Sequence, residues 1–215
     1  MYQDFNKSVV LDVDCVILDF YAGFKKAACE VLNREVKQLK ISYTLSERYD
    51  IQKEDVSPIF EHLMKVGYAD LPLLDGAGEA FQKLQDEGFK IHLVTGIPEA
   101  CKEIRLQNFR KHGLNPDSID CVGSGKDQKD LIVRGYNPVA IADDRIQHLE
   151  QSWFVPQKIW VNNGDNQGDY SKTEHNVTFE TESLLHWVNN SDLILDKASL
   201  LFRGHSNTNT RKIKF

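Results

Sequence analysis

The chain lacks any pair of cysteines spaced to clamp a metal. Its four cysteines, Cys15, Cys29, Cys101 and Cys121, are scattered and form no C-x-x-C, so zinc-site and dithiol redox chemistry have no support. A reducing, cytoplasmic setting is the simplest expectation. No apolar run approaches the ~18 residues of a membrane span. Met1-Tyr2-Gln3-Asp4 does not open a basic region followed by an apolar one, so a Sec-type signal is not expected. Positive charge is also in short supply. Lys and Arg number 26 against 32 Asp and Glu, a net charge of −6, and no basic stripe stands out. A nucleic-acid polymer is therefore not an expected partner. The seven histidines form no H-x-x-x-H pair, and there is no internal repeat.

Two phosphate-chemistry motifs are absent as well. Gly123-Ser124-Gly125-Lys126 echoes the end of a P-loop, but Asp120 stands where the first Gly belongs and Asp127 where Ser or Thr belongs. No cysteine has an Arg six residues later, which excludes the loop of cysteine-based phosphatases.

What is present suits one domain plus an insertion: 215 residues, 41% hydrophobic and 27% charged. Helical spacing marks Ala22 to Leu32, Ala77 to Glu87, Pro98 to His112 and Thr181 to Val188. Ser57-Pro58 reads as a helix start, with Ser57 as N-cap and Pro58 first in the helix. Asp127 can cap a helix running to about Arg134. Apolar runs at Val9–Val13, Lys90–Val94, Asp120–Val122, Pro138–Ala142 and Lys158–Val161 read as strands. A polar loop follows, from Asn162 to Tyr170. Strands alternating with helices predict an α/β fold with a doubly wound parallel sheet.

The chemistry gathers at strand ends. Val9-Val10-Leu11-Asp12-Val13-Asp14 finishes a buried run with two carboxylates. An Asp pair there could cap a helix or form a turn. At the C-terminal edge of a parallel sheet it could instead hold a hard cation, or supply a nucleophile beside an acid/base. The second strand ends in Thr95-Gly96, and the fourth in Asp143-Asp144. Lys126 and Lys129 precede the fourth strand. Two acid pairs, a hydroxyl and a lysine on one edge make a site for magnesium and a phosphoryl group.

In this order the residues resemble the haloacid dehalogenase-like (HAD) hydrolase superfamily, in its phosphatase branch. Asp12-Val13-Asp14-Cys15-Val16 fits its D-x-D-x-[TV] motif, Thr95 its second motif, Lys129 (or Lys126) its third and Asp143-Asp144 its fourth. The resemblance spans about residues 8 to 165. Cys15 departs from it, standing where Gly is common; the flanking acids disfavour a thiolate there.

The resemblance implies a Rossmann-like core over 1–20 and 72–189 and a small helical cap over 21–71 inserted after the first strand; residues 190–215 read by composition as a polar tail that could be a mobile end, a linker or a docking segment. It implies Asp12 as nucleophile, forming an aspartyl-phosphate, and Asp14 as general acid/base. Thr95, Gly96 and Lys129 would bind phosphate. Asp12, the backbone carbonyl of Asp14 and Asp144 would hold Mg2+, with Asp143 orienting that shell or binding through water. The context of the first motif, Leu18-Asp19-Phe20, is similar to 5′-deoxyribonucleotidase-like members. A small phosphorylated metabolite or nucleotide is the expected substrate. An aspartate-based protein-tyrosine phosphatase acting on phosphoproteins, including a secreted effector without a Sec signal, is the alternative, and a non-catalytic phospholigand-binding module the second. Oligomeric state is not legible.

Overall fold

The computed structural model describes residues 6–123, 129–164 and 177–191. The expectations for Lys126 and Asp127, for most of the 162–170 loop and for the tail beyond Ser191 lie outside the described residues. Six strands form one sheet: β1 (Asn6–Leu11), β2 (Lys90–Thr95), β3 (Ser118–Cys121), β4 (Pro138–Asp143), β5 (Gln157–Val161) and β6 (Phe179–Thr181). Their order is β3-β2-β1-β4-β5-β6, with every neighbour parallel. This is the doubly wound α/β arrangement that the alternating pattern predicts. The direction of winding reverses between β1 and β4, where open sheets of this kind leave a crevice.

The helices are α1 (Phe20–Leu32), α2 (Leu45–Arg48), α3 (Val56–Lys65), α4 (Ala77–Asp86), α5 (Lys102–Lys111), α6 (Lys129–Tyr136), α7 (Ile146–Gln151) and α8 (Leu184–Asn190). They cover both faces of the sheet. On one face, Val9 and Leu11 of β1 pack with Phe81 of α4, Phe109 of α5 and Trp187 of α8. On the other, Val10 packs with Val133 of α6 and Leu149 of α7. A central strand buried on both faces reads as a continuous apolar run rather than an alternation, which is why Val9-Val10-Leu11 has no polar member.

Residues 20–71 follow β1 with α1, α2, α3 and two short 3-10 turns, Lys53–Asp55 and Gly67–Ala69. Asp19 caps α1 by accepting the Ala22 N–H at 2.8 Å. Asn33 ends it in the left-handed region at φ 49°, a conformation that Asn tolerates better than most residues. Apolar contact runs unbroken from the sheet into this segment, through Ile17 and Leu18 to Phe24 of α1 and Ile59 and Leu63 of α3.

Three local expectations are corrected. Ser57 is not the cap of α3, which begins at Val56 and continues from the 3-10 turn before it. Pro58 is third in that helix, where the first four N–H groups have no intrahelical partner to lose. The helix expected from Thr181 begins at Leu184, capped by the Ser183 hydroxyl, which accepts the His186 N–H at 3.2 Å. Thr181 instead ends β6, a three-residue edge strand too short to show a period.

Candidate active site

The parallel sheet aligns the C-terminal ends of β1, β2 and β4. Val10 stands beside His92 and Ile141, and Leu11 beside Leu93 and Ala142. One residue further, the Asp12 N–H donates to the Ala142 carbonyl at 2.9 Å. Asp12 thus extends the ladder just past β1, next to Asp143 at the end of β4, with Thr95 at the end of β2. Among the described residues, Asp12, Asp143 and Asp144 form a buried group whose ligand oxygens lie within 4.8 Å of one another.

Lys129, the first residue of α6, ties the group together. Its Nζ lies 2.8 Å from Asp12 Oδ1 and 2.6 Å from Asp143 Oδ2. Burial disfavours its charge, but Asp12 and Asp143 outweigh that and raise the ammonium above its ordinary value. Asp143 is wrapped by donors. Its Oδ1 accepts the Arg145 N–H at 2.9 Å, and His148 Nδ1 stands 3.1 Å from both of its oxygens. Burial pushes Asp143 up, yet Lys129 and His148 together hold it below the usual carboxylate range.

The other two acids move the opposite way. Burial raises Asp12 to about 6, against the pull of Lys129. Asp144 is driven well above its ordinary value by burial and by the charges of Asp12 and Asp143. The Trp160 indole donates to its backbone carbonyl at 3.0 Å and fixes the turn. An all-oxygen cluster whose members repel one another fits a hard divalent cation. Asp12 and Asp144 are suited to contact such an ion, since both oxygens of Asp143 already face protein donors.

Thr95 is 1% exposed and its Oγ1 has no hydrogen-bond partner among the described residues. A buried hydroxyl left unpaired costs free energy unless a ligand satisfies it. Gly96 follows, close to the next turn: a Cβ there would stand 3.7 Å from the Gly123 carbonyl oxygen. Asp14 lies in the tight turn after β1. Its carboxylate pairs with Arg105 of α5, whose Nη2 donates to Oδ2 at 3.0 Å and stands 2.9 Å from Oδ1. Cys15 is next, at φ 65°, and its N–H donates to the Leu18 carbonyl at 2.8 Å. That left-handed backbone, rather than bulk alone, is what a Gly would supply there.

Sequence reasoning missed Arg105, His148 and a contact to the residue after Asp144. Tyr43 of the 20–71 segment accepts a hydrogen bond from Arg145 Nη1 at 3.3 Å, and the guanidinium lies 5.2 Å from its ring centroid. No spacing rule links Tyr43 or Arg105 to the motif residues. Only His148, five residues after Asp143 and so one helical turn past Asp144, had a local signal.

Comparison with protein-family models and with curated proteins gives no match. Solved structures do match. A dehalogenase solved with an intermediate complex aligns with a TM-score of 0.59 at 18% identity, over 86% of this chain and 97% of that one. The fold is that of the HAD hydrolases. A HAD family hydrolase from Deinococcus radiodurans R1, with bound phosphate and sodium, aligns with a TM-score of 0.56 at 12% identity, over 92% of this chain and 98% of that one. CbbY from Rhodobacter sphaeroides, in complex with phosphate, aligns with a TM-score of 0.56 at 11% identity, over 85% of this chain and 96% of that one. At such identities the HAD likeness speaks for architecture, and the chemistry must be argued from the site.

Proposed function

We propose that the protein is a magnesium-dependent phosphomonoester hydrolase of the HAD phosphatase type, acting on a small phosphorylated metabolite or nucleotide. The observation that carries this reading is the Asp12–Lys129–Asp143 bridge with Asp144 beside it, at the reversal point of the sheet. Magnesium, held by Asp12, Asp144 and the backbone carbonyl of Asp14, would offset charge on the phosphoryl oxygens. Asp143 holds Lys129 and is itself held by His148 and the Arg145 N–H, an outer shell that keeps the bridge in place.

In the first half-reaction, Asp12 attacks phosphorus in line. The Asp12 oxygen–phosphorus bond forms, the bond to the leaving oxygen breaks, and Asp14 gives that oxygen its proton. In the second, water attacks the aspartyl-phosphate, its proton passes to Asp14, and phosphate departs. Thr95 Oγ1 and the N–H groups near Gly96 hold phosphoryl oxygens throughout, and Lys129 balances their charge. The acid pair Asp143-Asp144 favours a phosphoryl substrate over a haloacid, because a divalent cation would offset the double charge of a phosphomonoester.

Residues 21–71 would act as a cap. Tyr43 reaching Arg145, with Asp12 8% and Thr95 1% exposed, supports a small substrate over a folded phosphoprotein. Phosphate release with Mg2+ from nucleoside monophosphates, sugar phosphates and phosphotyrosine and phosphoserine peptides tests this. Wild-type protein should prefer a small metabolite. Asp12→Asn should release nothing, and Asp14→Asn should turn over at least ~10²-fold more slowly. Wild-type-like turnover by Asp12→Asn sinks the mechanism. Preference for phosphotyrosine peptides would instead mean an open site. Magnesium binding without release from any substrate would mean a phospholigand-binding module.

A further inference from the structure

Arg105 is wholly buried, and among the described residues its partner in hydrogen bonds and ion pairs is Asp14. It sits in the first turn of α5, packed under the ring of Tyr68, whose centroid is 4.4 Å from the guanidinium carbon. Tyr68 is itself buried and belongs to the 20–71 segment, in the 3-10 turn Gly67–Ala69. Arg105 Nε and Nη1 are buried without hydrogen-bond partners among the described residues. A buried guanidinium with two unsatisfied nitrogens is a poor way to stabilise a fold; an apolar side chain of similar volume would cost less. The Asp14 side chain, by contrast, is 23% exposed and lies on an irregular turn between β1 and α1. Without a partner it would be free to rotate among several rotamers. The stacked Tyr68 and the body of α5 remove that freedom from the group that grips it.

We propose that Arg105 is a positioning residue for Asp14: it holds the carboxyl group in the orientation from which it exchanges a proton with the leaving oxygen. The inference rests on the phosphatase reading above and adds a residue that none of the four motifs contains. Arg105 does not touch substrate. It acts only through Asp14, and Tyr68 braces it from the inserted segment.

Leaving groups test this directly. An alkyl phosphate needs its departing oxygen protonated, whereas p-nitrophenolate departs without help. Arg105→Met should therefore lower kcat/KM for an alkyl phosphate by ~10²-fold, within the range general acid catalysis supplies, and for p-nitrophenyl phosphate by less than ~3-fold. Asp14→Asn should show the same asymmetry more strongly. The double variant should be no slower on the alkyl phosphate than Asp14→Asn alone, because the two substitutions remove one function. Arg105→Lys, which keeps the charge and fills most of the space, should recover part of the alkyl rate. It also carries the leaving-group comparison if Arg105→Met does not fold.

Equal losses on both substrates, or additive losses in the double variant, would overturn the proposal and leave Arg105 a packing residue. Failure of the underlying reading looks different: wild-type protein would then release phosphate from neither substrate.

Discussion

Burial raises three neighbouring carboxylates, but at Asp143 the charges of Lys129 and His148 reverse the effect, and that difference can be measured. Asp12 is raised from 3.8 to about 6, chiefly by burial. Between those values the folded protein binds a proton that the unfolded chain does not. Stability from this group is therefore fully present below about pH 4 and is lost as pH rises through about 6. Asp144, raised by burial and by Asp12 and Asp143, acts in the same direction. Asp143 acts oppositely. Lys129 and His148 hold it down, so its contribution is present above the ordinary carboxylate value and fades only in stronger acid. Without divalent ions, wild-type protein should lose melting temperature between pH 5 and 7 relative to Asp12→Asn, by on the order of 5 °C. Added Mg2+ should stabilise wild type more at pH 7 than at pH 5, since the ion competes with protons for Asp12 and Asp144. Thermal melts of both proteins at three pH values, with and without Mg2+, check it. A Mg2+ shift that shrinks as pH rises would contradict the assignment. At this scale the sequence was legible where chemistry is local. Asp12, Thr95 and the acid pair announce themselves at strand ends, whereas Lys129, which opens α6, shares its candidacy in the sequence with Lys126. Arg105 does not, because what makes it matter is which face of α5 looks toward a turn 91 residues earlier.

At the scale of elements, the turn after β1 shows why a motif can bend without breaking. Cys15 has φ 65°, in the region that costs an L-residue roughly 1–2 kcal/mol. Its Cβ is tolerated, and its side chain is 6% exposed. Cys15→Gly should stay within about 1 kcal/mol of wild type, strain relief offsetting lost packing and a looser unfolded chain. Cys15→Val, β-branched at the same φ, should cost about 2 kcal/mol or more. Urea unfolding of both variants checks the pair, and equal costs would mean that space rather than backbone governs the position. Element boundaries were the least legible feature of the sequence. The short edge strand β6 carries no periodic signal, and Thr181 resembles a helix cap as readily as a strand end. Pro58 marked a helix correctly but not its first residue, because proline is equally harmless anywhere among the first N–H groups.

At the scale of the whole molecule, alternation of strands and helices was enough to foresee one doubly wound sheet, since parallel strands need crossovers of helical length. What alternation could not foresee is how residues 20–71 lie against the rest. Tyr43, half-exposed, meets Arg145, the residue that follows Asp144. Tyr43→Ala should raise KM for a small phosphomonoester several-fold while changing kcat and stability little, since an exposed contact contributes only about 0.5–1 kcal/mol. Steady-state kinetics beside a urea melt would show it. A fall in kcat at constant KM would place Tyr43 in the chemistry instead.

The place of β1 at the middle of the sheet has a consequence for how the molecule comes into being. Its partners are β2 and β4, so a ribosome must extrude the chain as far as Thr95 before one edge of Val9-Val10-Leu11 is covered, and as far as Asp143 before both are. Until then this apolar strand is open to other nascent chains. Asp12 and Lys129, 117 positions apart, meet only once that wait is over. The cell therefore carries the aggregation hazard of this protein during synthesis, and the buried acid cluster cannot assemble until β4 has emerged.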